Sequence, residues 1–454
     1  MSRADGKLET MPPGFPVGFL GVDSSQKPVL TRAYETRNPN GFAFLGDSRM
    51  DYMFTDGSGA LIKKTAFHWF NQANARRGQR LKIMGHFAVS GWRSDQYLSF
   101  LPQALATNAK HFCIFSVIND AAYGPGDYFN NTIATDGTLS IRDACEAILA
   151  AGGTPWLFTD PGAYDLRGST NALRCVQQYN QRIKDYAGRR AGRVVVVDVA
   201  AQVVDPTQTF RFKSGYSADI PPAETHFNTK ASEAMAIPFM AAVDALGIPP
   251  IDVLPISVAD SYANNSLQIL KNVLFSTTTG GNTPGSGITG TFPLGMGGFC
   301  QANVTATVSV GAGAYGNEVT FACTATGAGA VIIDMSTETS ANAPGDKLTA
   351  VAQVDVLSGA VNLASANIRL KSTRSGISQE ATDFYSDTTT TSGPMTSTVN
   401  QTFDLQTPEI TIASGTDTEC KMYLYIQFVG AGSATVKLRR AAVYKVAASA
   451  GVIN

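Results

Sequence analysis

Two kinds of apolar pattern divide the chain. Up to about residue 248, short runs that are apolar almost throughout alternate with longer segments whose apolar positions recur every three or four residues. The runs are 41–45, 82–89, 111–118, 155–159 and 193–198, typified by Arg193-Val-Val-Val-Val-Asp198. A strand without a polar side must be covered on both faces, as in a parallel sheet. The periodic segments are 60–78, 95–107, 139–151, 170–190 and 229–246; in 170–190 the residues Leu173, Val176, Tyr179, Ile183 and Tyr186 fall on one helical stripe. Strands and helices in alternation predict an α/β fold, a parallel sheet with helices on both sides.

The pattern changes at Gly247-Ile-Pro-Pro-Ile-Asp252. Beyond it, apolar and polar residues alternate with period two, as in Val304-Thr-Ala-Thr-Val-Ser-Val310, which predicts half-buried strands. The expected strands are 302–310, 318–326, 330–337, 347–357, 367–372, 401–412, 421–428 and 434–444. Short strands between Gly- and Ser-rich turns predict an antiparallel all-β sandwich. The Thr/Ser clusters 276–286 and 387–397 read as loops. Gly311-Ala-Gly-Ala-Tyr-Gly316 fits G-x-G-x-x-G, but it joins two β-patterned runs with no helix after it, so it reads as a hairpin turn. The organisation expected is an arm over 1–38, an α/β domain over 39–248, a linker over 249–268 and a sandwich over 269–454. Within the arm, Met11-Pro-Pro-Gly-Phe-Pro16 cannot be helix or central strand, and 18–30 has room for a small hairpin.

Composition narrows the function. The 454 residues are 44% hydrophobic and 16% charged with a net charge of −1, which argues against a general nucleic-acid binder. Residues 1–250 hold 25 Lys and Arg against 22 Asp and Glu (net +3); residues 251–454 hold 10 against 14 (net −4). All three tryptophans and all four histidines lie in the first half, so the chemistry is expected there. The histidines are scattered without metal-ligand spacing, and no metal or cofactor is expected. The six cysteines form no Cys-x-x-Cys pair and read mainly as buried thiols, with a Cys300–Cys323 bridge as the alternative. The apolar patch 15–22 is too short and too broken by Pro16, Gly18 and Gly21 for a signal peptide, and no run is long enough to span a bilayer.

The candidate chemistry gathers where strands end. Gly41-Phe-Ala-Phe-Leu45 is followed by Gly46-Asp47-Ser48, after which Arg49-Met-Asp-Tyr52 can open a helix. A serine at such a corner projects from the carboxyl edge of the sheet, where α/β sites form, with its N–H at a helix start that favours negative charge. The tripeptide is also ordinary turn chemistry. Ser90-Gly91-Trp92 follows the second strand, Val117-Ile-Asn119-Asp120 ends the third, and Ala223-Glu-Thr-His226 follows the last. With right-handed crossovers all four stretches reach one sheet edge.

In this order they resemble the SGNH (GDSL-type) hydrolases, a family of serine esterases and lipases. The first block stands as Gly46-Asp47-Ser48 and the second-block glycine as Gly91. The third block has Asn119-Asp120 without its leading glycine, and the last has His226 with Ala223 in place of the usual aspartate. Tyr179-Asn180, the 194–198 strand and His226-Phe-Asn228 before a helix support the match, which covers about 40–248. The resemblance implies a three-layer, flavodoxin-like domain in which Ser48 is the nucleophile and His226 the base. It also implies an oxyanion hole made of the N–H groups of Ser48 and Gly91 and the side-chain amide of Asn119. Glu224 is the first candidate to orient His226, with Asp219 or a backbone carbonyl as alternatives. Trp92, Arg93, Asp120 and Tyr123 are the candidate substrate-binding residues.

The appended β-domain resembles jelly-roll carbohydrate-binding modules, marked by Leu270-Lys-Asn-Val-Leu-Phe275 and Val443-Tyr-Lys-Val446. The order of arm, esterase and Thr/Ser/Gly-rich sandwich resembles phage tail-associated proteins that remove O-acetyl groups from bacterial surface polysaccharides. The function expected is therefore a carbohydrate O-acetylesterase, on a phage tail acting at the bacterial surface or otherwise in the cytoplasm. Its partner would be an acetylated polysaccharide or another ester, without nucleic acid or membrane insertion, and a homo-oligomer is the alternative to a single chain. Two further readings stand beside it: a bacterial esterase or lipase on small acyl esters, and a non-catalytic glycan-binding tail protein with a degenerate SGNH domain.

Overall fold

The computed structural model describes residues 19–22, 28–31, 37–51, 81–115, 117–124, 126–130, 139–166, 168–217, 224–227, 229–249, 254–338, 341–385, 401–407 and 409–446. The expected helix 60–78 lies outside them. In the arm, β1 (Phe19–Val22) and β2 (Pro28–Thr31) pair antiparallel with Phe19 opposite Thr31, the hairpin expected within 18–30.

The α/β domain follows the apolar runs. Its elements are β3 (Asn38–Gly46), α1 (Ser48–Asp51), β4 (Lys82–Ala88), α2 (Ser94–Tyr97), α3 (Leu101–Ala106), β5 (Ala109–Phe115), α4 (Ile118–Tyr123), α5 (Ile141–Ala150), β6 (Thr154–Phe158), α6 (Thr170–Gly188), β7 (Val195–Val197), α7 (Val199–Val203) and α8 (Thr229–Ala245). The five strands are all parallel in the order β4-β3-β5-β6-β7. Successive side chains on a strand point to opposite faces. Ala43, Leu45, Phe112, Ile114 and Leu157 accordingly enter one core with Leu101, Ile148 and Val176. Phe42, Phe44, Cys113, Phe115, Trp156 and Phe158 enter the other with Met235 and Phe239. Each large apolar side chain so buried contributes about 1.5–3 kcal/mol, which explains why these strands tolerate almost no polar residue. One exception is His111 on β5. It lies between Trp156 Nε1, 3.0 Å from its Nδ1, and Pro39 O, 2.9 Å from its Nε2. Burial pushes its pKa down to about 4, so it is a neutral strut between strands rather than a base.

Strand order makes β3 the switch point. The chain leaves β3 for β4 on one side and then crosses to β5 on the other, and a crevice opens at that carboxyl end. Ser48 stands there, as the first residue of α1.

The second half is two sheets that share a strand. Its elements are β8 (Ile288–Gly290), β9 (Met296–Cys300), β10 (Val304–Ala312), β11 (Asn317–Ala325), β12 (Gly329–Ser336), β13 (Lys347–Val356), β14 (Val361–Arg374), β15 (Ile377–Tyr385), β16 (Gln401–Gln406), β17 (Ile410–Thr411) and β18 (Asp417–Val446). The two strands expected over 421–428 and 434–444 are one strand of 30 residues, β18. Its first part pairs with β14 and β12, and its second part with β11 and β13. Met422, Leu424, Ile426, Phe428, Val436 and Leu438 along it all face one buried core. Gly311–Gly316 falls at a hairpin with Ala312 opposite Asn317. All six cysteines are free thiols, so the Cys300–Cys323 bridge does not form. Among the described residues no helix is long and apolar enough to cross a membrane.

One glycine sets how closely the strands meet beneath the site. A Cβ on Gly46 would lie 1.8 Å from Phe115 O and 2.7 Å from Met50 Cβ. Gly46→Ala is therefore expected to lower stability by about 1–3 kcal/mol, the usual cost of overpacking, as read by urea denaturation. Wild-type stability in that variant would mean β3 and β5 part there without cost.

Candidate active site

The corner that carries Ser48 is built by Asp47. This residue is fully buried. Its N–H donates to Phe115 O at 3.2 Å and its carboxylate accepts the Arg49 N–H at 2.9 Å, so the carboxylate caps the first turn of α1. Ser48 is only 5% exposed, and its Oγ lies 3.0 Å from His226 Nε2 across 178 residues of sequence. With the imidazole proton on Nδ1, the hydroxyl donates to Nε2, the arrangement a serine needs to lose its proton on attack.

The loop carrying His226 is held at the two residues before it and the one after it. The carbonyl of Thr225 accepts from Arg49 Nε at 2.9 Å. Phe227 stacks on Phe212 (5.2 Å, 19°) and on Phe115 (6.2 Å, 9°). Glu224, 6% exposed, accepts the Phe212 N–H at 3.0 Å and lies 3.6 Å from Arg211 Nε. This corrects the expectation for Glu224. Its carboxylate satisfies a buried backbone donor that has to be paired, and it anchors the loop instead of orienting the imidazole. Ala223 and Asp219 lie outside the described residues.

The three expected oxyanion donors differ. Ser48 N–H opens α1, where no helix partner exists by position. Gly91 sits in the exposed turn after β4 at φ +81°, a conformation that favours glycine, and no described residue accepts its N–H. Asn119, in contrast, has both amide protons engaged. Its Nδ2 donates to Trp92 O at 2.9 Å and to Asp47 Oδ2 at 3.3 Å, tying the three blocks together.

The expected substrate-binding residues also separate. Tyr123 is 66% exposed, with the Arg93 guanidinium 4.3 Å above its ring. Arg93 is fixed by a two-toothed pairing with Asp95 at 3.0 and 2.9 Å. Trp92 is half-buried, and one face of its indole is covered by Phe100 at 5.4 Å and 9°. Asp120 departs from the expectation: it is fully buried, accepts the Ser94 N–H with both oxygens at 3.1 Å, and takes the Ser94 hydroxyl as well. Burial pushes its pKa up to about 7. It organises the start of α2 from beneath and is closed to a substrate.

Arg49 and Asp160 were not foreseen. Both side chains are fully buried and they meet at 2.7 Å. The available signal was their position: an arginine directly after the serine, and an aspartate at the end of the fourth strand run, both at the same sheet edge.

Two outcomes follow from these contacts. Glu224→Gln keeps an acceptor for Phe212 and should leave small-ester turnover within a few-fold of wild type, whereas Glu224→Ala should cost about 1–3 kcal/mol of stability. A sharp fall of kcat in Glu224→Gln at unchanged stability would return Glu224 to His226. For Asp120, the native pKa near 7 lies above the ordinary unfolded value of about 3.9. Between these limits the native state holds a proton that the unfolded chain lacks. Stability therefore falls as pH rises, by at most about 1.4 kcal/mol per unit. Asp120→Asn should gain stability relative to wild type between pH 5 and 7 in paired urea titrations. A constant difference would show Asp120 ionised throughout.

Comparison with known proteins bears on the same stretch. Residues 44–234 match the model of the GDSL-like Lipase/Acylhydrolase family, a span that includes Ser48, Gly91, Asn119 and His226. No curated protein sequence matches the chain. Among solved structures, a Bacteroides fragilis protein described as an acylhydrolase is 18% identical, covers 46% of this chain and 88% of its own, and has a TM-score of 0.34. A member of the lipolytic protein G-D-S-L family from Veillonella parvula is 14% identical, with 45% and 98% covered and a TM-score of 0.34. The family 11 carbohydrate-binding module of a Clostridium thermocellum cellulase is 13% identical, with 34% and 89% covered and a TM-score of 0.22. The resemblance to the GDSL-like Lipase/Acylhydrolase family lies within residues 44–234, in the α/β domain, and leaves the sandwich outside it.

Proposed function

We propose that the protein is a serine esterase that removes O-acetyl or other short acyl groups from a carbohydrate, a bacterial surface polysaccharide in particular. The observation that carries the reading is the 3.0 Å contact between Ser48 Oγ and His226 Nε2 at the sheet's switch point, inside the matched domain. Ser48 Oγ bonds to the acyl carbon as Nε2 takes its proton. The tetrahedral oxyanion collapses, the bond to the sugar oxygen breaks, and the imidazolium protonates the leaving alcohol. Water then repeats the sequence on the acyl-serine. The N–H groups of Ser48 and Gly91 receive the oxyanion. The longer of the two Asn119 bonds, to Asp47 at 3.3 Å, is the one that yields to it. Donors of this kind are each worth about 10²–10³ in rate.

Two features support a sugar. At the site's rim, Tyr123 offers an exposed ring held beside a fixed guanidinium. On the outer face of the sandwich, Tyr423 and Tyr425 lie 6.0 Å apart with Arg369 5.8 Å above the second ring. A phage tail-associated setting belongs to the same proposal and rests on the order of arm, esterase and Thr/Ser/Gly-rich sandwich.

Acetate release from a panel of acetylated bacterial polysaccharides tests the reading. Ser48→Ala and His226→Ala should each lose on the order of 10⁴–10⁶ in kcat with circular dichroism unchanged. A folded Ser48→Ala that retains most of its activity on both polymer and p-nitrophenyl acetate would remove Ser48 from the chemistry.

A further inference from the structure

We infer that Arg49 is a positioning residue that sets the reach between the nucleophile and its base; the inference rests on the esterase reading of Ser48 and His226. Arg49 follows Ser48 directly, and Thr225 directly precedes His226. The Nε of Arg49 donates to Thr225 O at 2.9 Å. One hydrogen bond thus joins the neighbour of the nucleophile to the neighbour of the base.

The guanidinium that makes this bond has no freedom to turn. Its side chain is fully buried, Nη1 meets Asp160 Oδ1 at 2.7 Å, and Nη2 donates to Gly162 O. Asp160 is in turn fixed from three elements. Its Oδ2 accepts the Val117 N–H at 3.0 Å, beyond the end of β5. Its Oδ1 accepts the Gly162 N–H at 2.8 Å. Its own N–H and carbonyl pair with the Asn180 side chain of α6 at 2.7 and 2.8 Å. On the far side, the Arg49 guanidinium lies 5.4 Å over the ring of Phe227, the residue after His226.

The rigid carboxyl edge of the sheet therefore orients Asp160, Asp160 orients the arginine fork, and the fork fixes the loop that carries the base. The fork acts beside the other anchors of this loop, the Glu224 bond to Phe212 and the bridge between Phe227 and Ser217, and is the one that ties it to the residue after the nucleophile. A planar fork with donors on three nitrogens can serve three acceptors at set angles, which a single ammonium cannot. A displacement of about 1 Å between reacting groups costs about 10² in rate.

The alternative role for Arg49 is charge neutralisation of Asp160 alone, and Arg49→Lys separates the two. Lysine keeps a cation beside Asp160 and loses the fork. The positioning role expects a folded protein whose kcat on p-nitrophenyl acetate falls about 10²-fold with KM changed no more than a few-fold. The midpoint of its kcat–pH profile should stay in place, because the charge near His226 is conserved. A folded Arg49→Lys with wild-type kcat overturns the inference. If Arg49→Lys does not fold, Arg49→Met combined with Asp160→Asn removes both buried charges, and the same kcat criterion applies to it. Ser48→Ala run in parallel distinguishes the two levels. An active Ser48→Ala overturns the esterase reading and the positioning role with it. An inactive Ser48→Ala beside a fully active Arg49→Lys overturns the positioning role alone.

Discussion

A charge sealed from water has to be matched where it stands, and this requirement governs the α/β half of the protein. Arg49 and Asp160 are both without solvent contact. Removing one partner of such a pair typically costs about 3–5 kcal/mol, because the other charge is left stranded. Satisfying Asp160 draws in Val117, Gly162 and Asn180, and satisfying Arg49 draws in Thr225 and Gly162. The ends of two strands, the middle of α6, the serine corner and the histidine loop are thereby committed to one arrangement. Asn119 repeats the device nearby with neutral groups, linking Asp47 and Trp92.

Much of this domain was legible from residues alone. A run such as 41–45 has no polar face, so it had to be covered on both sides, and side chains of β3 do divide between two cores. Four short blocks at strand ends brought Ser48 and His226 together, because parallel strands joined by right-handed crossovers deliver their carboxyl ends to one edge. What could not be read was side-chain direction in loops. Periodicity fixes where a strand or helix side chain points, but Glu224 sits on a segment with no period, and its partner was decided by an unpaired N–H at Phe212. Asp120 was misjudged for a similar reason. It lies on a helix of six residues, too short for a pattern to assign its buried face.

The sandwich shows the converse. Period-two alternation located most strands, since each has one buried face. It missed β15, whose sequence Ile377-Ser-Gln-Glu-Ala-Thr-Asp-Phe-Tyr385 is mostly polar and which, among the described residues, pairs with β14 alone. It also divided β18 in two at Gly430-Ala-Gly432, where glycine spacing suggested a turn and the chain instead passes from one sheet to the other.

That passage bears on how the molecule comes to exist. β18 is the strand that both sheets share, and β11, β12, β13 and β14 all pair with it. Yet it follows every other strand of the sandwich in the chain. During synthesis from the N-terminus, the last described element of the α/β domain ends at residue 245, while both sheets of the sandwich await β18, which begins only at residue 417 and ends at 446. Contacts of such long sequence separation form late and slowly. The nascent sandwich therefore spends most of its elongation as a set of apolar-faced strands with open edges, the state most prone to wrong pairing. Before β18 is made, the hairpin β10–β11 and the pair β14–β15 can form by themselves, but nothing joins them into the two sheets that β18 closes.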